Sequence, residues 1–419
     1  MKNSRLVIVD GIRTPFCKAG SDLASLSADE LGRIAVNALL TRTGLDPELV
    51  DEVIFGCVAQ PADATNIARV IALRAGIPES VPAMTVQRNC ASGCEAVTLA
   101  QERLLAGRGS VFIVGGTESM SNIPFLFRQR TAEKFTRLSR AKNLGQRLQS
   151  MAAFRPADFL PRIGLMLGLS DPVSGMNMGE TAEVLAREFD INRAEQDAFA
   201  LQSHKRAVAA QEKFSGEICP AFLPAKGSAV TKDNGPRENQ SNEALAKLKP
   251  VFDRRTGTVT AGNASQVTDG AVALLVMSEE KAERLGYNPL GFLSGYAYAG
   301  CDPSRMGLGP VYAMAEAEAK TGLSPADADL IEINEAFAAQ TLAVLKCSKK
   351  SLPQSPGEIP AEKLNVNGGA IALGHPVGAT GARLVLSSLK ELQRRKAKRA
   401  LITLCVGGGQ GAALWLERN

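Results

Sequence analysis

Cys90 lies in the stretch Asn89-Cys90-Ala91-Ser92-Gly93-Cys94-Glu95-Ala96. A short apolar run, Ala83 to Val86, precedes it, and a helical pattern, Ala96 to Leu105, follows. This spacing puts Cys90 at a strand-to-helix junction, at or just before the first helical turn. Unpaired N–H groups and the positive end of the helix dipole gather there and favour an anion. A cysteine in that field is a candidate thiolate, because the field lowers its pKa. The competing reading is that Cys90 is one of eight mostly buried thiols, since free cysteine packs as a small hydrophobe.

Three more residues stand at comparable junctions. His375 sits in Gly374-His375-Pro376-Val377-Gly378-Ala379-Thr380-Gly381, where glycines and a proline leave its imidazole open. It can take the proton that a cysteine nucleophile must lose. Cys405 ends a strand pattern and precedes Gly407-Gly408-Gly409, whose N–H groups can stabilise charge developing on a carbonyl oxygen. Asn334, in Asn334-Glu335-Ala336-Phe337, offers a polar side chain at a strand's C-terminal end. Strand ends of this kind are where α/β sites are built. Each has a plain structural reading: glycine loops turn corners, and Asn334 suits a helix cap. Their joint occurrence favours chemistry. The only other histidine, His204, falls inside a helical pattern beside Lys205 and Arg206 and reads as a surface or packing residue.

The elements that must position these residues alternate. Strands are expected at Leu6–Val9, 53–56, 83–86 and 111–114, with helices from the capping-box sequence Ser27-Ala28-Asp29-Glu30, over 66–75 and over 96–105. After residue 267 the alternation resumes, ending in a glycine-rich loop over 365–381, a helix over 382–393, a strand over 400–404 and a strand over 412–416. Such alternation predicts an α/β protein with a largely parallel sheet covered on both faces. The layout of helix 96–105, strand 111–114 and Gly115-Gly116 repeats in helix 382–393, strand 400–404 and Gly407-Gly408-Gly409, which implies a duplicated unit. The expected divisions are a first half over 1–120 completed by about 268–288, an inserted segment over 121–267, and a second half over 289–419. Within the insertion, residues 128–147 are strongly basic, and Phe135, Leu138, Leu148 and Met151 are expected on one helical face. With the apolar patch Leu160 to Leu169 this reads either as a membrane-surface or partner-docking element or as a solvated helix over a substrate pocket. Residues 225–249 read as an exposed polar excursion.

Composition excludes several classes. At 419 residues the chain exceeds one ordinary core, and 45% hydrophobic with 22% charged residues is a globular balance. A net charge of +5 is too mild to argue for nucleic acid. No apolar run approaches a bilayer span. The start, Met1 to Val9, enters a strand without a signal or transit pattern, and the eight cysteines have no metal-ligand spacing. A reduced, cytoplasmic protein without a metal site is the expectation.

Five ordered motifs make the chain resemble the thiolase family over nearly its whole length. They are Asn89-Cys90-Ala91-Ser92-Gly93, Gly257-Thr258-Val259-Thr260-Ala261-Gly262-Asn263-Ala264-Ser265, Asn334-Glu335-Ala336-Phe337-Ala338, the run from Asn365 to Pro376, and Cys405-Val406-Gly407-Gly408-Gly409-Gln410-Gly411. The resemblance implies two duplicated βαβαβαββ halves in an αβαβα arrangement, with an inserted loop domain. It implies Cys90 as the acyl-carrying nucleophile, His375 as its base, and Cys405 as the acid/base at the acetyl α-carbon. Asn334 would hold a water that forms one oxyanion hole with His375, and the N–H groups of Cys90 and Gly407 would form another. Ser265 would contact the pantetheine arm of coenzyme A. Ala264, Met178, Phe337 and Met306 would line the substrate site.

The implied reaction cleaves 3-ketoacyl-CoA to acetyl-CoA and a shortened acyl-CoA, or runs in reverse, with coenzyme A as substrate and no cofactor. The insertion resembles thiolase subunits of fatty-acid oxidation complexes, which pair with a hydratase/dehydrogenase chain. Such subunits often carry His where this chain has Asn334. Short-chain biosynthetic thiolases usually carry His at the position of Asn177, whereas Met306-Gly307-Leu308-Gly309-Pro310 resembles their pattern. A broad or medium-to-long chain range is the expectation, with an acetoacetyl-CoA thiolase, a ketoacyl synthase and a non-catalytic acyl-CoA-binding subunit as alternatives. A homodimer or homotetramer is implied, with a partner subunit or membrane contact through residues 128–169.

Overall fold

A computed structural model describes residues 5–350 and 355–419; the reading of Met1 to Ser4 lies outside the described residues. Alternation of side chains along the strands builds the layers. In the strand Val111–Ser119, Val111 and Ile113 enter one apolar cluster, and Phe112 and Val114 enter another. The strand Thr268–Ser278 divides the same way, with Ala271, Ala273 and Leu275 on one face and Val272, Leu274 and Val276 on the other. Helices Ala28–Thr43 and Ile67–Arg74 cover the first cluster. Helices Ser92–Leu105 and Val377–Arg395 fill the second. In the second half Ile402, Leu404 and Leu414 share that inner cluster, while Leu401 and Trp415 pack outward with helices Gly309–Thr321 and Ala338–Lys350. The result is a five-layered αβαβα fold.

Strand order repeats on either side of a seam. From Leu6–Arg13 the first half runs through Thr268–Ser278, Val111–Ser119, Glu52–Gly56 and Ala83–Val86. From Gly291–Gly300 the second half runs through Gln410–Glu417, Arg399–Val406 and Leu330–Ile333, and a single parallel bridge from Ile331 to Leu364 stands where the fifth strand would be. In both halves the first two pairings are antiparallel and the next is parallel. The seam is the short pairing of Val7 and Ile8 with Phe292 and Gly291. The two inner helices meet almost backbone to backbone: a Cβ on Gly381 would lie 2.4 Å from the Cys94 amide nitrogen.

The expectation of a largely parallel sheet is therefore corrected, because antiparallel pairings predominate. Gly408 and Gly409, at φ +86° and +80°, turn Arg399–Val406 straight back into Gln410–Glu417. A connection that tight permits only an antiparallel pair. Several boundaries also move. The strand at 111 runs through Gly115 and Gly116 to Ser119, both glycines pairing with Thr268–Ser278. The helix after Asn334 begins only at Ala338, because Ala264 and Phe337 form a bridge first. The last helix begins at Val377 rather than 382, after a short turn of helix at Ala370–Leu373. Ser27 occupies its N-cap position without a side-chain capping bond. Within 225–249, Asp233 is drawn inward by the buried guanidinium of Arg13, at 2.7 Å.

Residues 121–177 are a separate kind of structure. Among the described residues they give no side chain to any of the buried apolar clusters. The single helical face expected for Phe135, Leu138, Leu148 and Met151 does not exist. These residues fall on two helices, Gln129–Ser139 and Leu144–Ala152. Asn143 starts the second helix by accepting the Gln146 N–H at 2.9 Å.

Candidate active site

A tight turn presents Cys90. The Ala91 N–H donates to the Arg88 carbonyl at 2.9 Å, and the Ser92 N–H to the Asn89 carbonyl at 3.0 Å. Asn89 adopts φ +43°, a left-handed conformation that asparagine tolerates better than most residues. Its side-chain amide donates to the Gly407 carbonyl at 2.7 Å. The turn carrying Cys90 is thereby tied to the glycine turn after Cys405, and so one half of the chain to the other.

Burial pushes the Cys90 thiol above its usual range, and the Glu118 charge adds to that. Hydrogen bonds from the Gly407 N–H and from the N–H of Cys90 itself pull it down without prevailing. The expected lowering by the helix start is thus overturned: desolvation outweighs it. Cys90 rests as a thiol and needs a base. Cys405, second to last in its strand and fully enclosed, is held well above the usual thiol range by burial first and by the neighbouring Cys90 sulfur second. Cys94 is buried in the inner cluster against Gly381 and serves packing.

His375 has the protonation state of a base. Burial, with the Arg383 charge second, lowers it to about 4, so the imidazole is neutral at physiological pH. Its Nδ1 lies 2.6 Å from Thr380 Oγ1, and that hydroxyl donates to the Pro376 carbonyl at 3.0 Å. The hydroxyl has one proton to give, so it accepts from Nδ1–H, which leaves a lone pair on Nε2. Asn334 Nδ2 lies 3.5 Å from that Nε2. The Asn334 side-chain oxygen is buried with no hydrogen-bond partner among the described residues. It is an acceptor available to a water.

A cavity of about 550 Å³ brings Cys90, His375, Cys405 and Gly407 together with Ser265, Met178, Phe337 and Met306. Grooves of about 730 and 640 Å³ elsewhere hold none of these residues. Asn334 and Ala264 do not line the cavity. Asn334 stands behind His375, and Ala264 behind Phe337, with which it pairs. The motif Gly257 to Ser265 is held from below by Glu183, whose carboxylate accepts the Thr258 and Val259 N–H groups at 2.9 and 2.8 Å. The Ser265 N–H then donates to the Ala336 carbonyl at 2.9 Å. Phe337 meets Phe252 edge to face, centroids 6.0 Å apart. Away from the thiols the wall turns apolar, with Met120, Ile123, Leu165, Leu167 and Leu169.

Sequence reasoning missed the side chains that hold this arrangement. Glu118 also lines the cavity and is buried. It accepts N–H groups from Val58 at 3.0 Å, Ala59 at 2.9 Å and Gly378 at 2.9 Å, the last in the first turn of the helix behind His375. Asn365 returns two bonds to Ile333, accepting its N–H at 2.8 Å and donating to its carbonyl at 2.9 Å, and so completes the sheet edge beside Asn334. Glu335 accepts from Ser203 at 2.6 Å and from Asn365 at 2.8 Å. The one available signal was an acidic residue closing an otherwise apolar strand or opening a buried turn. His204 is buried away from this cavity, lowered by burial to about 4, and accepts the Arg237 N–H at 3.2 Å. Among the described residues no cluster of three His, Cys, Asp or Glu side chains is placed to hold a metal.

Comparison with known proteins agrees along the whole chain. The family description "Thiolase, N-terminal domain" matches residues 6–280, and "Thiolase, C-terminal domain" matches 287–418. A 3-ketoacyl-CoA thiolase of Pectobacterium atrosepticum is 41% identical over 99% of this chain and 97% of its own. One from Pseudoalteromonas translucida is 42% identical with the same coverage. Among solved structures, human mitochondrial 3-ketoacyl-CoA thiolase in complex with CoA superposes with a TM-score of 0.87 at 38% identity, covering 100% of this chain and 98% of that one. An acetyl-CoA acetyltransferase from Syntrophomonas wolfei gives 0.89 at 36% identity and covers 99% of both.

Proposed function

The chain belongs to the thiolase family, and on that premise we propose that it cleaves 3-ketoacyl-CoA at Cys90 and passes the shortened acyl group to coenzyme A. It is an acyltransferase. The observation that carries the assignment of residues is the convergence of a protonated thiol, a neutral imidazole and a second enclosed thiol on one cavity.

His375 Nε2 takes the Cys90 proton as the sulfur attacks the 3-keto carbon. The oxyanion formed there is stabilised by N–H groups of Cys90 and Gly407. Breaking the C2–C3 bond leaves the enolate of acetyl-CoA, whose oxygen faces His375 and a water on Asn334. The α-carbon takes its proton from Cys405. Cys405, now a thiolate, takes the proton of a second coenzyme A thiol as that sulfur attacks the acyl-cysteine, and the His375 imidazolium returns its proton to the departing Cys90 sulfur, so all three side chains end as they began. Three side chains and two thioesters carry every proton and electron pair, so coenzyme A enters as substrate and no cofactor is called for.

Ser265 lines the same cavity and would contact the pantetheine arm, and the apolar wall of Met120, Ile123, Leu165 and Leu167 suits a medium-to-long acyl chain. Asn177 supports the same range, because its side chain caps the helix Met178–Glu188, accepting the Glu180 N–H at 3.0 Å, rather than entering the cavity. We place the enzyme in the cytoplasm as a homodimer or homotetramer. The test is thiolysis of a graded series of 3-ketoacyl-CoA substrates, with trapping of the acyl-enzyme on the Cys90 peptide by mass spectrometry. Acyl label on another residue would overturn the assignment. A rate confined to acetoacetyl-CoA would overturn the chain range alone.

A further inference from the structure

The two N–H groups proposed to hold the acyl oxyanion belong to turns from opposite halves of the chain, and they act as a pair only at the right spacing. Arg88 stands where that spacing is set. Its main chain is part of the Cys90 turn: its N–H donates to Ser92 Oγ at 2.9 Å, and its carbonyl accepts the Ala91 N–H at 2.9 Å. Its side chain leaves that turn and crosses to the other half. Nε donates to Glu95 at 2.5 Å, in the first turn of the helix Ser92–Leu105, and Nη1 donates to Gln410 Oε1 at 3.3 Å. The guanidinium lies over the Tyr298 ring, 4.1 Å from its centroid.

Each partner is itself held. Gln410 faces Val406 across the hairpin, so it closes the loop that begins with Gly407. Tyr298 belongs to the strand Gly291–Gly300, and its hydroxyl lies 2.9 Å from Thr98 Oγ1 on the first inner helix. Stacking on the ring fixes the plane of the guanidinium, and the two edge bonds fix its rotation within that plane. Asn89 ties the same two turns at the Gly407 carbonyl. One tie fixes a distance and lets the glycine hairpin pivot; a second tie, at Gln410, fixes its orientation as well. The Arg88 and Glu95 side chains are 30% and 23% exposed, and an ion pair that open to water adds little stability. The value of the arrangement lies in its geometry.

We infer that Arg88 is a positioning residue, which aligns the Gly407 N–H with the Cys90 N–H and so sets the strength of the acyl oxyanion hole. Arg88 does not line the cavity, and its effect passes through the two turns. The inference rests on the acyl-transfer reading above. On that reading an oxyanion forms at the acyl carbon whenever Cys90 is acylated or deacylated. The enolate of acetyl-CoA uses the other hole, built from His375 and Asn334 on different elements. Alkylation of the Cys90 thiol by iodoacetamide forms no oxyanion at all. These three reactions therefore separate a positioning role from a general loss of structure.

The test compares the unmodified full-length protein with Arg88→Met, Arg88→Lys and Gln410→Met, the last probing the same tie from the other half. Acylation of Cys90 by acetyl-CoA, followed by mass spectrometry, should slow by ~10-fold in Arg88→Met and in Gln410→Met, because a displaced donor costs less than a removed one. Arg88→Met/Gln410→Met should be no slower than either alone, since both break one tie. Arg88→Lys keeps the charge but not the planar fork, and should slow acylation almost as much. In thiolysis the loss should fall on kcat with KM held. Deuterium exchange at the acetyl-CoA α-carbon and alkylation by iodoacetamide should stay close to the unmodified rates, which also establishes that the variants fold. Unchanged acylation in Arg88→Met, full recovery in Arg88→Lys, or a parallel fall in acylation, exchange and alkylation overturns the inference. Absence of Cys90 acylation in the unmodified protein would overturn the acyl-transfer reading itself, and this inference with it.

Discussion

The two halves of the molecule place residues at the same three topological positions and use them differently. Cys90 stands two residues before the first inner helix, and His375 two before the second. Glu118 is the penultimate residue of Val111–Ser119, as Cys405 is of Arg399–Val406. Cys57 directly follows Glu52–Gly56, as Asn334 follows Leu330–Ile333. The third position finds a different neighbour in each half: Cys57 meets Glu118 at 3.6 Å, whereas Asn334 meets His375 at 3.5 Å. In the second half His375 and Cys405 face the cavity, and Asn334 backs His375. The first half aims only Cys90 at the reacting atoms, and spends Glu118 on three backbone N–H groups. On the proposed mechanism a duplicated scaffold is divided into a half that mostly performs proton transfers and a half that carries the acyl group and holds the frame.

That division orders the effects of substitution. Cys90→Ala should remove the nucleophile outright, with a loss of about 10⁴-fold or more in kcat/KM for thiolysis. A milder loss would mean that another group carries the acyl chain. Cys405→Ala should slow deuterium exchange at the acetyl-CoA α-carbon by roughly 10³-fold, yet leave acylation of Cys90 by acetyl-CoA within about tenfold. Equal loss of both would break the separation of roles. Asn334→Ala should cost about 10²-fold in kcat with little change in KM, because its partner charge exists only in the transition state.

The Glu118 clamp gives the subtler tests. Glu118→Gln keeps the shape but removes the charge and one acceptor, and should lower kcat by about tenfold. It should also shift Cys90 alkylation by iodoacetamide to lower pH, since the Glu118 charge holds the thiol up. In the unmodified protein the sign is set by burial: the thiol is raised and His375 is lowered to about 4. Alkylation should therefore keep rising with pH past neutrality. A plateau below pH 7 would show a preformed thiolate–imidazolium pair and contradict the resting state described above. The smallest local change with a structural readout is Gly381→Ala, whose Cβ would meet the Cys94 nitrogen at 2.4 Å. It should destabilise the fold by about 1–3 kcal/mol in denaturant titration, the usual range for overpacking.

Much of this was legible in the chain. Cys90, His375, Cys405 and Asn334 were readable because each sits in a glycine- or alanine-rich junction, and the repeat of helix, strand and glycine turn announced the duplication. Strand polarity was not readable, because it depends on whether a connection is a two-glycine hairpin or a long excursion returning from the far side. The holding residues were not readable either. Glu118, Glu335 and Asn365 look like ordinary polar residues until burial shows that backbone groups distant in sequence converge on them.

Residue types and their order by themselves determined the chemistry available here: two reactive sulfurs, one open imidazole, and N–H-rich turns beside them. Only the tertiary structure decided the state of those groups. A helix start alone favours a thiolate at Cys90, but enclosure in the cavity withdraws water from the sulfur, and the desolvation cost exceeds what two N–H groups return. The same holds in reverse for Leu144, Leu148 and Met151. Their spacing marks an amphipathic helix, and only the packing of the rest of the chain leaves that apolar stripe facing outward. Protonation and exposure are set by what surrounds a residue in space, which short-range sequence does not contain.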